Sequence, residues 1–400
     1  MTSASDARIT WLEDYLRAHC FRDASAAAAR LTFGAALEWL AFDRASLQVA
    51  PIVARDALGC SIDAVRGVGR ELKWRETISD NGVPLFTSPE AGTLTFEPGG
   101  QLKYATSVHH AAHDVMAELK HVEGRLREQA DRIGIMLVAC GVDPYNDAEG
   151  APLQLGATRY RRMSQYFASI GPEGARMMRQ TASLQLNIGG FATMDRWAVA
   201  NAIAPWVIAL SANSPCYAGA DTGCASYRSD TWRGVDPLRT GLFAGVDAVG
   251  DYATFALAAP AFLLDGAAPP FGDVAGQHMT EATVAAHLGT LFPEVRPRGY
   301  LEIRSPDAAE HEQRCASMAF VAGILGDGTA ASAALDLVGP ADGELLARAG
   351  RDGTRAPRIA AMAADLVRIA EEGVSRLGHD IVSEQLLGSL RALGRAQASH

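Results

Sequence analysis

Four widely separated stretches of period-two alternation constrain this chain more than any other feature: LTFGAALEWLAFD (31–43), GTLTFEPGGQLKYAT (92–106), ASLQLNIGG (182–190) and RPRGYLEIRSPDA (296–308). Side chains alternate across a strand, so residues two apart share a face. Within 94–104, Leu94, Phe96, Leu102 and Tyr104 take one side while Glu97, Gln101 and Lys103 take the other. Leu184, Leu186 and Ile188 likewise oppose Ser183, Gln185 and Asn187, and Leu301 and Ile303 oppose Tyr300, Glu302 and Arg304. Each stretch therefore reads as a strand with an apolar face for helices and a polar face of acids, amides and guanidinium groups. Those residue types hold metal ions and carboxylates, and a shared site on the polar face is expected.

Long alanine-rich helical patterns separate the strands, at 107–131, 160–180, 195–212 and 356–395, and a further one over 7–30 carries Trp11, Leu12, Tyr15 and Leu16. Distant strands with helices between them predict an α+β fold around a largely antiparallel sheet. No internal repeat, low-complexity tail or linker interrupts the pattern. A single domain over 1–400 is expected, with C-terminal helices, about 330–400, packed onto it.

Several function classes fall away. A net charge of −10 argues against a nucleic-acid surface, which needs a basic stripe. The six cysteines are scattered without a CxxC pair, so neither a zinc ribbon nor a disulfide framework is indicated. No apolar run approaches the ~20 residues of a membrane helix, and MTSASDARITWLEDYL has no signal-peptide pattern. A cytoplasmic protein with small-molecule partners is expected. No GxxxxGK[ST] loop and no GxSxG elbow occurs, and GDGTAA (326–331) follows a helical stretch rather than a strand. His109, His110 and His113 form HHxxH without the glutamate of a metalloprotease helix and read as a helical surface.

Two clusters point to chemistry. Mg²⁺ prefers oxygen ligands in an octahedron, and Glu38, Glu97 and Glu302 supply carboxylates on strand polar faces. SANSPCYAGADTGCASYRSDTWRGVDPLRTG (211–241) begins as a Ser/Asn/Gly/Pro-rich loop and then delivers Arg228, Trp232, Asp236 and Arg239. Paired arginines near a carboxylate-lined sheet suit bidentate recognition of phosphate or carboxylate groups.

EPGGQL (97–102), RYRRMSQYF (159–167), TASLQLN (181–187), ALSANSP (209–215), SYRSDTW with DPLRTG (226–241) and LFPEVRPRGYLEIR (291–304) together resemble the glutamate–cysteine ligase family of the plant and proteobacterial type. The likeness is nearest to its actinobacterial branch, associated with γ-glutamylcysteine supply for ergothioneine. It runs in order from about residue 30 to 310. The resemblance implies a glutamine-synthetase-like fold, a curved antiparallel sheet with helices on one face and the active site on the other. It also implies a reaction in which ATP phosphorylates a γ-carboxylate and an amine displaces the phosphate to give an amide, with magnesium ions and arginines neutralising charge. Carried over motif by motif, Glu38, Glu97 and Glu302 match metal-binding acids. Arg228, Arg239 and Arg304 match positions near phosphates or the substrate carboxylate. Gln101, Gln185, Asn187 and Trp232 join the substrate and ATP-binding set.

Two departures fall among these residues. The family's first strand reads G-x-E-x-E, whereas Gly34-Ala35-Ala36-Leu37-Glu38 has alanine at the first acid. The family's EPGGQxE ends in glutamate, and here that residue is Lys103. Two unit charges 4 Å apart interact by ~4 kcal/mol at an effective dielectric of ~20, so such changes weaken a divalent-metal site. The expectation is an ATP-dependent ligase with fewer metal ions, in which Lys103 occupies the space of a missing ion beside Glu38 or Glu97 and joins Arg239 and Arg304 as a catalytic cation. The alternative is a homologue turned to a different, ATP-independent reaction, or a non-catalytic ligand-binding protein.

Overall fold

The run LTFGAALEWLAFD becomes one continuous strand, β1 (Thr32–Asp43), buried along nearly its whole length. Its only charged side chain before Asp43 is Glu38, so β1 belongs in the middle of a sheet, covered on both faces. The computed structural model describes residues 4–21, 30–53, 59–79, 82–245, 247–264 and 268–398. In it β1 is followed by β2 (Arg75–Ile78), β3 (Pro84–Thr87), β4 (Thr93–Phe96), β5 (Leu102–Ala105), β6 (Ile135–Val138) and β7 (Leu184–Gly189). A last hairpin pairs Val295–Pro297 with Leu301–Ile303.

These strands form one antiparallel sheet. Its order runs from the last hairpin through β7, β1, β5, β4 and β3 to β2, and β6 pairs with the second half of β1. β1 thus serves three partners: β7 along Thr32–Leu37, β5 along Ala36–Trp39 and β6 along Leu40–Asp43. This is the α+β architecture expected. The strands β2, β3 and β6 carry little alternation and were not anticipated.

Two of the alternating stretches prove to be hairpins. In 92–106 the turn Glu97–Gln101 separates β4 from β5, closed by Glu97 N–H donating to the Gln101 carbonyl at 2.8 Å. Gly100 has φ +96°, a conformation that costs a side-chain-bearing residue, and a Cβ on Gly99 would lie 2.1 Å from the Arg179 carbonyl oxygen. Both glycines of EPGGQ are therefore required by the backbone and by close approach.

The helical patterns are recovered with breaks. The 160–180 pattern splits at Gly171-Pro172 into Thr158–Ala168 and Glu173–Gln180, because proline starts a helix but cannot continue one. The 356–395 pattern splits at Gly378 (φ +90°) into Pro357–Leu377 and Glu384–Ala398. The first helix spans Ala4–His19, and the later part of the 7–30 pattern includes residues 22–29, which lie outside the described residues.

Behind the sheet lie Ala112–Arg132, Thr193–Ser211 and His311–Gly326. Trp39, on the rear face of β1, donates its indole N–H to Glu123 at 3.0 Å. The same carboxylate pairs with fully buried Arg314 and with Arg127, so β1 is tied to two helices through one ionic cluster. The C-terminal helices close around His311–Gly326, and Gly323 and Gly373 allow the backbones to touch: a Cβ on Gly373 would sit 2.0 Å from the Gly323 carbonyl oxygen. Among the described residues no single helix is long and apolar enough to cross a membrane.

Candidate active site

The front face of the sheet opens into a cleft with about 760 Å³ of open space. Its floor is polar: Glu38, Lys103 and Gln185 come from the strands, Arg304 directly follows the last strand, and Glu97 and Gln101 come from the β4–β5 turn. Its wall is apolar and comes from the short helices in front: Tyr160, Met163, Met177, Met178 and Trp232, joined by Phe292.

The floor is organised by one cation. Lys103 lies directly opposite Glu38 in the β1–β5 register, and its ammonium is 3.1 Å from Glu38 Oε1 and 3.0 Å from Glu97 Oε1. Burial opposes a charged lysine, but Glu97 and Glu38 outweigh it and raise the pKa, so the ammonium is held firmly protonated. Burial also works against charged Glu38, yet Lys103 and Arg228 hold its pKa below the ordinary value. Ser183 completes the arrangement by donating both its N–H (2.8 Å) and its hydroxyl (2.9 Å) to Glu38 Oε2. Gln185 donates to Glu38 Oε1 at 3.3 Å.

A second ionic cluster stands beside the first. Glu302 pairs with Arg304 at 2.5 Å, Arg296 at 3.3 Å and Arg298 at 3.6 Å. Against the cost of burial, Arg296, Arg304 and Arg298 pull the Glu302 carboxyl down to about 2. Arg304 reaches from this cluster to the cleft, with its guanidinium carbon 5.5 Å from the centre of the Trp232 ring. Arg228 approaches the same ring at 5.0 Å and donates to the carbonyls of Arg304 (2.9 Å) and Ser305 (3.1 Å).

Asp307 explains how the distant motifs converge. It accepts from the hydroxyls of Ser214 (2.7 Å) and Ser226 (2.9 Å) and from Asn213 N–H (2.9 Å). ALSANSP and SYRSDTW are thereby fastened to the last sheet stretch, which puts the Tyr227–Gly234 helix and its Arg228 and Trp232 over the cleft. Burial pushes the Asp307 carboxyl above its ordinary pKa, opposed by Arg228 and these donors.

Not every expected residue arrives at the cleft. Arg239 is fully buried elsewhere, donating to Thr290 Oγ1 at 2.7 Å and to the Pro260 carbonyl, with Tyr166 and Phe262 against its guanidinium. DPLRTG thus supplies a packing cation, and the structure does not bring it to the phosphate-binding position expected of it. Asn187 faces Gly34 and Glu302 in the sheet register, outside the cleft lining, with Oδ1 buried and unpartnered. Gln101 borders the cleft, but its amide staples the turn, accepting from Gly99 N–H and donating to the Thr181 carbonyl, both at 3.0 Å.

The three acids expected to bind metal do not converge. Glu38 and Glu97 have an ammonium between them, and Glu302 is engaged by three guanidinium groups. Among the described residues no group of three His, Cys, Asp or Glu side chains forms a metal-ligand set. These side chains do not fit a magnesium ion held jointly by Glu38, Glu97 and Glu302. His109 precedes the helix that begins at Ala112 and contacts Glu118 at 2.5 Å. Among the described residues no disulfide joins the cysteines, and Cys216 is exposed.

Sequence reasoning missed Arg159 and Tyr160. Arg159 lines the cleft, donates to the Gly289 carbonyl at 2.7 Å and keeps a buried Nε–H without an acceptor. Burial and the nearby Glu97 push the Tyr160 hydroxyl up to about 12, so it stays a neutral donor. Both belong to RYRRMSQYF, whose density of arginine and aromatic residues was the available signal.

Comparison with known proteins places these features in a family context. Residues 32–394 match the family model for glutamate–cysteine ligase family 2. The glutamate–cysteine ligase EgtA of Mycolicibacterium smegmatis is 34% identical over 307 residues, 71% of each chain. The chloroplastic glutamate–cysteine ligase of Nicotiana tabacum is 28% identical over 348 residues, 79% of this chain and 66% of that one. In fold, the chain is similar to the glutamate–cysteine ligase of Francisella tularensis, solved in complex with AMP. The TM-score is 0.51 at 11% identity, covering 92% of this chain and 82% of that one.

Proposed function

The chain belongs to glutamate–cysteine ligase family 2, and we propose that it is an ATP-dependent ligase joining a carboxylate to an amine in the cleft over Lys103. In the first step a carboxylate oxygen attacks the γ-phosphorus of ATP, and the bond to the bridging oxygen breaks to release ADP. The resulting acyl phosphate is then attacked by the amine nitrogen. Phosphate leaves with the electron pair of the broken C–O bond, and the amine gives up a proton. Both steps gather negative charge on phosphoryl oxygens, so their rate depends on cations placed in advance.

The observation that carries this reading is the Glu97–Lys103–Glu38 bridge. An ammonium has three N–H donors, and two are directed at Glu97 and Glu38, leaving one for a phosphoryl oxygen above the floor. Arg304 and Arg228, beside Trp232, add two more cations to the cleft. Lys103 then contributes fixed charge where two further carboxylates would otherwise invite a metal ion, and the enzyme works with fewer protein-held metals. The wall of Tyr160, Met163 and Met178 places apolar carbon beside the floor, where it would limit the approach of water to an acyl phosphate.

The test is ADP release from purified protein given ATP, Mg²⁺, L-glutamate and a panel of amines beginning with L-cysteine. Amine-dependent ADP release supports the ligase. The acids' failure to converge as metal ligands favours a second reading, a repurposed or purely binding cleft. Calorimetry showing no ATP binding would select it.

A further inference from the structure

A second cavity, with about 590 Å³ of open space, is bordered by Tyr15, His19, Tyr252, Ala285, Arg296 and Arg298. It shares no lining residue with the cleft. Arg296 is buried, and its Nε–H has no acceptor. Among the described residues the only carboxylate ion-paired with Arg296 or Arg298 is Glu302, which Arg304 also engages. One carboxylate shared by three guanidinium groups leaves an uncompensated positive charge, and a buried charge is costly until it is matched. Burial, with Arg304 adding to it, pushes Arg296 down to about 9. Ala285, Leu288 and Pro297, beside Tyr15, His19, Cys20 and Tyr252, add aliphatic carbon that suits a short carbon skeleton.

We propose that this cavity is a binding site for a small oxyanion, a carboxylate or phosphate carried on a short apolar body, with Arg296 and Arg298 as its cationic end. The site is linked to the cleft through covalent neighbours and ion pairs. An anion on Arg296 competes with Glu302 for it, and Glu302 is the partner of Arg304 in the cleft. Gly289 on the cavity border accepts from Arg159, which lines the cleft. The binding is independent of the reaction proposed above, and is measured without turnover.

The experiment is calorimetric titration of the full chain with succinate, inorganic phosphate and acetate in separate arms. It is repeated on Arg298→Ala, on Ala285→Phe, which fills the cavity from an exposed position, and on Tyr160→Leu, which alters the cleft. We expect one-site binding of succinate or phosphate, weakened at least about tenfold in both cavity variants and unchanged in Tyr160→Leu. Succinate alone binding identifies a carboxylate site, and phosphate alone a phosphate site. Unchanged affinity in both cavity variants, loss in Tyr160→Leu alone, or no binding of any arm at about 10 mM overturns the proposal.

Discussion

Lys103 lies opposite Thr95 in the β4–β5 register and reaches diagonally to Glu97 at the start of the turn, 3.0 Å away, while Glu38 meets the same ammonium from β1 at 3.1 Å. The Lys103 ammonium is thus built into the floor of the cleft instead of pointing away from it.

Removing that cation should be costly. Lys103→Met removes the ammonium between Glu38 and Glu97 and leaves Arg228 as the remaining cation acting on Glu38, and a loss of about 2–4 kcal/mol is expected. Urea denaturation at pH 7.5 and pH 5 checks this. The loss should shrink at the lower pH, where a carboxylate can take up a proton, and an equal loss at both values would count against the bridge.

Restoring the acids should restore metal binding. The natural sequence is expected to show no Mg²⁺-dependent rise in melting temperature without nucleotide. The Ala36→Glu, Lys103→Glu double variant should melt several degrees higher with Mg²⁺ than with EDTA, because Ala36 and Glu38 lie two apart on β1 and share its front face. Equal melting curves for the double variant would show that the floor cannot hold the ion.

Glu302 predicts an acid limb. Its folded pKa, pulled down to about 2 by Arg296, Arg304 and Arg298 against burial, lies below the ordinary value of 4.5. A depressed carboxyl contributes stability that is present above its unfolded pKa and is lost as pH falls through the folded one. Stability should therefore decline from about pH 4.5 towards pH 2, and Glu302→Gln should flatten that part of the profile. A Glu302→Gln profile parallel to the natural one would refute the assignment.

Arg239 and Arg304 should separate by readout. Arg239→Met is expected to lower the melting temperature while leaving KM for ATP unchanged in the folded protein, since Arg239 is buried away from the cleft. Arg304→Lys keeps a positive charge but loses the planar fork between Glu302 and Trp232, and should reduce kcat/KM at least about tenfold. A raised KM in Arg239→Met would place that residue back at the substrate.

Much of the cleft was legible in the sequence because strand alternation is a strict geometric signal. Knowing that Glu38 and Lys103 belong to strand faces is enough to predict that they could meet, and the register puts them opposite each other. Spacing does not say how far a side chain sits from the sheet. Arg239 and Arg304 look equivalent as arginines in long motifs, yet one is packed under Phe262 and the other borders Trp232. The apolar wall was hidden for a different reason: Met163, Met177 and Met178 lie on helices, where an inward methionine facing a cleft looks the same as one facing a core. Strands β2, β3 and β6 read RETI, PLFT and IMLV, and none of them alternates between apolar and polar residues.

The three-way pairing of β1 also sets the order in which the protein can be made. β1 leaves the ribosome early, but its partners lie at 102–105, 135–138 and 184–189, and the hairpin beyond β7 closes only with Ile303. Such long sequence separations slow folding, because loop closure must precede the contacts that reward it. During synthesis β1 therefore lacks its full set of partners until residue 189 has been made, and the incomplete sheet exposes apolar surface and strand edges until then.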